Sequence, residues 1–313
     1  MNRFTVISIV SVFMVSAIGS SVFFARGEKT QELAAVSASV LADKTPKYVP
    51  GISLPDIYTD NIEASAFIVG TDSGVVLAGR NIASTSPIAS LTKIMTALVA
   101  ERYGKSAVVM LTPRHKSTLP KLSDLPAGET LSLEAAKTLL LVESDNDIAE
   151  AIASAVGPLI DSTMEPSRAF IDAMNRMANM IGMASTRLRN PTGLDDPRHY
   201  STAEDIFRLV GYIDRTYPDF WQNTAEPPKE VSALSGKRYK IKSSSLLVPY
   251  PGVIGMKTGL TDEALGALII RYRITEFPED IIMVILRSPD RFRDGENLMN
   301  NVRRAFRTRD LSI

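Results

Sequence analysis

Ser90 and Lys93 stand three residues apart in the stretch SPIASLTKIMTALVA, whose apolar pattern predicts a helix from about Ile88 to Arg102. Residues three apart share a helix face, so the lysine amine can reach the serine hydroxyl. A serine hydroxyl needs a neighbouring base to become a good nucleophile, and lysine serves as that base only when burial or a nearby positive charge lowers its pKa. The same pair also fits an ordinary polar stripe on a helix that buries Ile94, Leu98 and Val99.

A second polar cluster, Ser144-Asp145-Asn146, lies between two apolar segments that predict short helices. One interpretation is that Ser144 or Asn146 caps the second helix, which is the more common use of these residue types. The other is that both side chains enter a cleft. There the Ser144 hydroxyl would carry a proton and the Asn146 carboxamide would bind a substrate amide.

A third cluster, Lys257-Thr258-Gly259, lies on a strand-like run near the end of the chain. The lysine charge could hold a substrate carboxylate, the threonine could add a hydrogen bond, and the glycine would let a substrate backbone approach closely. A strand that simply ends at a turn glycine fits the same residues.

The three clusters gain meaning together, because each occurs once and in the order S-x-x-K, S-D-N, K-T-G. This trio is found in penicillin-binding proteins and class A β-lactamases. The longer segments LPAGETLSLEAAKTLLLVESDNDIAEAIA, NPTGLDDPRHYSTAEDI and PGVIGMKTGLTDEALGALII resemble the serine D-alanyl-D-alanine carboxypeptidases, which are low-molecular-mass penicillin-binding proteins. The resemblance covers roughly residues 63–306.

The resemblance implies a role for each motif residue. Ser90 would attack the carbonyl between the two terminal D-alanines of a peptidoglycan stem pentapeptide, with Lys93 as its base. Ser144 would relay the proton to the leaving group, Asn146 would bind the substrate amide, and Lys257 would attract the terminal carboxylate.

The resemblance also implies the remaining parts of the site. Thr258 would add a hydrogen bond to substrate, and Gly259 would allow its close approach. The backbone N–H groups of Ser90 and Leu260 would form the oxyanion hole. β-Lactam antibiotics would imitate the D-Ala-D-Ala end and trap Ser90, and neither a metal nor a cofactor is implied.

Three alternatives remain open at this point. The shorter members of the family that this chain resembles include DD-endopeptidases, which cut peptidoglycan cross-links instead of removing the terminal residue. A class A β-lactamase needs a further glutamate, for which Glu165 is a candidate, although the Leu-Asn that should follow it is missing. A wall-binding scaffold without activity is the third, because likeness of fold does not establish catalysis.

The elements around the motifs predict an α+β fold. Two short apolar runs flank Asp72-Ser73-Gly74, which is a hairpin signal, and three strand-like runs (GVIGMKTG, GALIIRYRI, DIIMVILRS) come near the end. Helical patterns fill the middle of the chain. We therefore expect a central antiparallel sheet formed from N- and C-terminal strands, covered by helices, with an all-helical subregion between them.

Composition excludes several other classes of protein. The 313 residues include 35 basic and 35 acidic side chains, without the basic runs that a nucleic-acid-binding protein carries. Cysteine is absent, which excludes disulfides and thiol chemistry. The two histidines are too few and too far apart in sequence to predict a zinc site or a Ser-His-Asp triad.

The N-terminus differs from the rest, since 22 uncharged residues separate Arg3 from Arg26. This run exceeds a usual signal-peptide core and approaches a membrane span, so residues 1–26 are predicted to be a signal-anchor or a cleaved signal peptide. Residues 27–62 read as a linker and residues 63–313 as the DD-peptidase domain. The domain is expected outside the cytoplasm, tethered to the cytoplasmic membrane, or secreted or periplasmic if the segment is cleaved.

Overall fold

The computed structural model describes residues 56–117, 124–275 and 277–307. The predicted signal segment and most of the predicted linker lie outside the described residues. Within the described ranges, no helix combines the length and the apolar character that crossing a bilayer requires.

The described strands, in chain order, are β1 Ala66–Thr71, β2 Val76–Arg80, β3 Val108–Met110, β4 Thr130–Ser132, β5 Glu230–Ser232, β6 Arg238–Lys240, β7 Val253–Thr261, β8 Leu265–Tyr272 and β9 Ile281–Ser288. The described α-helices are α1 Thr92–Tyr103, α2 Leu133–Val142, α3 Asn146–Ile160, α4 Pro166–Ile181, α5 Ala203–Thr216, α6 Gln222–Ala225 and α7 Arg291–Arg307.

The central sheet has the strand order β2-β1-β9-β8-β7 and is antiparallel throughout. Strand β1 pairs with the last strand, β9, so that Phe67 lies opposite Ile285. The first and last parts of the chain therefore build one sheet, and β7, which carries the third motif, forms its edge. The small sheets β3-β4 and β5-β6 lie apart from it.

The inner strands of this sheet are buried on both faces. Alternate side chains along a strand point to opposite sides of the sheet, and every residue of β1 is buried. On one face, Phe67 and Met283 belong to a core cluster that includes Leu298 of α7. On the other face, Gly70 leaves room for Phe207 of α5, since a Cβ at Gly70 would lie only 2.6 Å from the ring. The sheet is thus the middle layer between helices.

Helix α1 is the centre of the helical subregion. It contacts α2, α3 and α4, and the side chains from Thr92 to Ala100 are buried all around the helix. The sequence predicted an amphipathic helix with one core face, so the observed burial is more extensive than expected. The cause is position, because α2, α3 and α4 pack around α1.

The predicted α+β class is confirmed, including the β1–β2 hairpin and the antiparallel pair β8–β9. Ile57 and Ile62 lie in the stretch assigned to the linker, yet both are buried in the same core cluster as Phe67. The boundary at residue 26 stays a prediction.

Candidate active site

Ser90 lies in a short 3-10 turn, Ala89–Leu91, that leads directly into α1. The sequence predicted one continuous helix from about Ile88, so Ser90 precedes the α-helix instead of lying inside it. Ala89 has a φ of 47°, in the left-handed region that residues other than glycine rarely adopt. This turn places the half-buried Ser90 at the start of the central helix.

Lys93 lies in the first turn of α1 and has no exposed side-chain surface. Its Nζ lies 2.8 Å from Ser90 Oγ, 2.7 Å from Asn146 Oδ1 and 2.7 Å from the carbonyl oxygen of Thr192. The fold therefore brings Ser90, Lys93 and Asn146 together from two helices. It also adds Thr192, which the sequence did not single out.

This arrangement suits lysine as a neutral amine as well as an ammonium group. The oxygens of Asn146 and Thr192 can only accept, so they take two N–H groups and leave the third position of Nζ facing Ser90 Oγ. In the neutral amine that position is the lone pair. Burial lowers the pKa of Lys93 to about 7, although the carboxylates of Asp145 and Glu150 act in the opposite direction.

A tight loop holds the Thr192 carbonyl in place. The Asn190 side-chain oxygen accepts hydrogen bonds from the backbone N–H groups of Thr192 and Gly193, at 3.2 and 2.7 Å. Gly193 has a φ of 85°, and a Cβ there would lie 1.9 Å from the Ala89 carbonyl oxygen. The loop thus packs directly against the turn that carries Ser90. The segment NPTGLDDPRHYSTAEDI was part of the family resemblance, but a backbone carbonyl leaves no signal of its own in a sequence.

A second lysine–hydroxyl pair lies in the same region. Lys257 is 1% exposed, and its Nζ donates to Ser144 Oγ and to the Thr258 carbonyl oxygen, both at 2.8 Å. Ser144 occupies the junction between α2 and α3 with a φ of 67°. The structure therefore joins the second motif to the third through this contact.

Burial is the main cause that lowers the pKa of Lys257 well below its ordinary value, and the positive charges of Lys93 and Arg291 add to it. Lys93 and Lys257 are thus two buried amines, and a charge on Lys93 disfavours protonation of Lys257. A substrate carboxylate at this place would supply the negative charge that stabilises the protonated form of Lys257.

Asp145, the middle residue of the second motif, caps α3, because its Oδ1 accepts from the Ile148 backbone N–H at 3.1 Å. The sequence had offered Ser144 or Asn146 as the capping residue, so that alternative was wrong about the residue though right about the cap. With Asp145 in this role, the side chains of Ser144 and Asn146 reach Lys257 and Lys93 instead.

Strand β7 runs closely past the 3-10 turn that carries Ser90. A Cβ on Gly259 would lie 3.1 Å from both the Ser90 nitrogen and the Ala89 Cβ, which is crowded. The expectation that Gly259 admits a substrate backbone stays a prediction, and the close approach visible here is to the protein's own turn. Leu260 follows with 62% of its surface exposed, and the oxyanion role of its N–H stays a prediction.

Thr258 acquires a partner that sequence reasoning missed. Its Oγ1 lies 2.9 Å from Ser244 Oγ, and the Ser244 backbone N–H donates to the Val142 carbonyl at 2.9 Å. The segment around Ser244 is thereby fixed between the end of α2 and β7.

Glu165, the residue considered for a β-lactamase, is the N-cap of α4, where its Oε2 accepts from the Arg168 backbone N–H at 2.8 Å. Its place in the fold is therefore explained by helix capping.

Comparison with known proteins agrees with this geometry. Residues 55–289 match the family described as D-alanyl-D-alanine carboxypeptidase. The D-alanyl-D-alanine carboxypeptidase DacF of Bacillus subtilis (strain 168) is 29% identical over 215 residues, which cover 64% of this chain and 51% of that protein. A D-alanyl-D-alanine endopeptidase of Pseudomonas aeruginosa is 29% identical over 256 residues, covering 80% of this chain and 78% of that protein. The match thus spans about half the length of the first of these relatives.

Among solved structures, penicillin-binding protein D2 of Listeria monocytogenes, in its ampicillin-bound form, is similar with a TM-score of 0.63 and 27% identity. The similarity covers 78% of this chain and 99% of that one. The family match extends over most of the chain and includes all three motifs. The chain therefore belongs to the D-alanyl-D-alanine carboxypeptidase family of serine peptidases.

Proposed function

We propose that the chain removes the terminal D-alanine from peptidoglycan stem peptides through an acyl-enzyme at Ser90. The observation that carries the proposal is the Lys93 amine, which is fully buried and 2.8 Å from Ser90 Oγ. Family membership alone would leave activity open, whereas this contact supplies the base that a serine nucleophile needs.

In the acylation step, Ser90 Oγ attacks the carbonyl carbon between the two D-alanines and its proton passes to Lys93 Nζ. The N–H groups of Ser90 and Leu260 are the proposed donors to the oxyanion, and such donors contribute about 2.7–4 kcal/mol each. The C–N bond then breaks, and the amine of the leaving D-alanine receives the proton by way of Ser144. Water finally hydrolyses the ester and restores the Ser90 hydroxyl.

The substrate is proposed to lie between the second and third motifs. Its terminal carboxylate would approach Lys257 and Thr258, and its peptide amide would contact Asn146. The support is that Lys257 is buried beside Ser144, where a negative group on the substrate would offset the energetic cost of burying the lysine charge.

A DD-endopeptidase is the second candidate, and one observation favours it. The match to the P. aeruginosa endopeptidase covers 80% of this chain, against 64% for the B. subtilis carboxypeptidase. The chemistry at Ser90 would be the same, but the leaving amine would belong to the side chain of a neighbouring stem peptide.

β-Lactams are the proposed inhibitors, since they resemble the D-Ala-D-Ala end and would acylate Ser90. The ampicillin complex of the Listeria protein supports this. The proposed location is the outer side of the cytoplasmic membrane, with residues 1–26 as the anchor, or secreted or periplasmic if that segment is cleaved.

The test is to incubate the purified full-length protein with a stem pentapeptide and with cross-linked muropeptide dimers. Release of D-alanine supports the carboxypeptidase, and conversion of dimers to monomers supports the endopeptidase. A Ser90→Ala variant should do neither. If the folded wild-type protein forms neither product, yet binds peptidoglycan, the scaffold would replace both enzymes.

A labelled penicillin provides an independent check on the nucleophile. Mass spectrometry of the digested adduct should place the label on Ser90. Label on another residue would refute the assignment.

A further inference from the structure

His199 is a buried side chain that the proposed reaction does not use. It lies close to the 3-10 turn Ala89–Leu91 that carries Ser90 (the nucleophile turn). It is 4% exposed, and its Nε2 lies 2.8 Å from Thr92 Oγ1. Its Nδ1 faces the backbone N–H of Arg189 at 3.3 Å. The Thr92 hydroxyl in turn donates to the Ala89 carbonyl at 2.9 Å.

The position of every proton in this chain of contacts follows from the partners. The Arg189 N–H can only donate, so Nδ1 of His199 must be an acceptor without a proton. The Ala89 carbonyl can only accept, so the Thr92 hydroxyl proton points to it. Thr92 Oγ1 must then accept from Nε2, which therefore carries the ring proton. Both ends of the chain require the same neutral tautomer.

This chain of hydrogen bonds ends on a strained part of the backbone. Ala89 has a φ of 47° and is almost fully buried, and it directly precedes Ser90. Its carbonyl accepts from both the hydroxyl and the backbone N–H of Thr92. A backbone in this conformation persists only where its surroundings hold it.

The same histidine also links the turn to the loop that holds Lys93. Arg189 begins the stretch that includes Thr192, whose carbonyl accepts from Lys93, and Gly193, which packs against the Ala89 carbonyl. The nucleophile turn and the loop from Arg189 to Gly193 are therefore linked by hydrogen bonds through the imidazole of His199.

We propose that His199, with its proton on Nε2, is a positioning residue that acts through Thr92 to hold the Ala89–Ser90 turn in register with Lys93. The proposal rests on the proposed function of Ser90. Burial lowers the pKa of His199 to about 4. The charge of Arg189 also lowers this pKa, whereas the carboxylates of Asp196 and Asp195 raise it. The ring therefore stays neutral at neutral pH.

The first test needs no variant. Full-length protein labelled with ¹⁵N in histidine should show, in two-bond ¹⁵N–¹H correlation spectra at neutral pH, that His199 carries its proton on Nε2. A proton on Nδ1, or a mixture of both tautomers, would overturn the proposal. This measurement does not depend on whether Ser90 is acylated, so it separates the positioning role from the proposed function.

The second test measures acylation by a labelled penicillin in Thr92→Val and Thr92→Ser. Valine keeps the shape but removes the hydroxyl, so the maximal acylation rate should fall by at least about tenfold while the half-saturating concentration stays the same. Serine keeps the hydroxyl and should retain most of the rate. Equal losses in both variants would contradict the proposal, since shape instead of hydrogen bonding would then decide.

The third test uses His199→Phe with His115→Phe as its matched control. His115 makes the same two kinds of contact, from the Thr112 N–H to Nδ1 at 3.1 Å and between Nε2 and Ser154 Oγ at 3.0 Å, but it does not contact the turn. Only the His199 variant should slow acylation, and adding Thr92→Val should slow it no further. Equal slowing by the control, or additive losses in the double variant, would refute the serial connection.

Discussion

Replacing Asn146 by Asp should move the pH dependence of Ser90 acylation upward. The side-chain oxygen of Asn146 lies 2.7 Å from Lys93 Nζ, so the substitution puts a carboxylate beside the proposed base with little change in shape. A negative charge this close stabilises the ammonium form and raises the pKa of Lys93, typically by about 1 to 3. In the proposed mechanism only the neutral form of Lys93 can accept the Ser90 proton, so more alkaline solution should be needed to reach the same rate.

The size of the effect follows from the wild-type value. With a pKa of about 7, roughly half of Lys93 is neutral at pH 7 and roughly 1% at pH 5. The wild-type acylation rate should therefore fall about tenfold for each pH unit below neutrality and level off above about pH 8. In Asn146→Asp the neutral fraction at pH 7 becomes about a tenth to a thousandth, and the rate should recover toward pH 9 or 10.

The assay is the rate of covalent labelling by a fluorescent penicillin between pH 5 and 10, with circular dichroism to confirm that the fold persists. Asn146→Ala is the control, because it removes the same acceptor without adding charge. Asn146→Ala should lower the plateau of the acylation rate, yet leave the midpoint of the pH profile at or below the wild-type value. A wild-type rate that stays constant from pH 7 to 5, or an unmoved midpoint in Asn146→Asp, would refute Lys93 as the base.

Three further substitutions test the surroundings. Gly259→Ala should slow acylation by at least about tenfold, measured with the same penicillin, because the added Cβ crowds the nucleophile turn at 3.1 Å; an unchanged rate would show that the turn yields easily. Asp145→Ala should lower the free energy of unfolding by about 1 kcal/mol, because the cap of α3 is lost. Calorimetry should show a Tm lower by roughly 2–4 °C. An unaltered Tm would contradict the capping role of Asp145. Ser244→Ala should raise the half-saturating penicillin concentration by about two- to tenfold, because it loses the contact with Thr258. Ser243 is exposed, and Ser243→Ala should leave that concentration unchanged. A similar rise in both variants would exclude the Thr258 contact as the cause.

The secondary structure was predictable because its signals are local. The turn residues Asp72-Ser73-Gly74 and the alternating apolar runs near the C-terminus act over a few residues, and the structure places β1, β2, β8 and β9 there. The spacing of Ser90 and Lys93 likewise predicted the contact between their side chains. Residues three apart meet on one face whether the helical turn is 3-10 or α.

What the sequence could not reveal depends on groups far apart in the chain. The third partner of Lys93 is the backbone carbonyl of Thr192, which every residue type possesses and which only the fold brings to the site. The cap of α3 shows a related limit. Any of three adjacent polar residues can cap a helix, and the choice of Asp145 follows from Lys257 engaging Ser144 and from Lys93 engaging Asn146.

The presence of two buried lysines has a consequence for how a substrate carboxylate can be accepted. A carboxylate that enters alone would stabilise the ammonium form of Lys93 and so disable the base. Lys257, whose pKa is lowered by burial, can take up a proton as the carboxylate arrives and form a neutral pair with it, which leaves the pKa of Lys93 low.

Binding of an acyl-D-Ala-D-Ala peptide should therefore be accompanied by proton uptake at pH values between the lowered pKa of Lys257 in the free protein and its higher pKa in the complex. Titration calorimetry of Ser90→Ala, which binds without reacting, would detect this uptake from the dependence of the binding enthalpy on the ionisation enthalpy of the buffer. The same peptide with a C-terminal amide should bind without uptake, because it brings no charge to Lys257. Equal uptake by both peptides, or none by either, would mean that Lys257 does not compensate the carboxylate and that some other group protects the base.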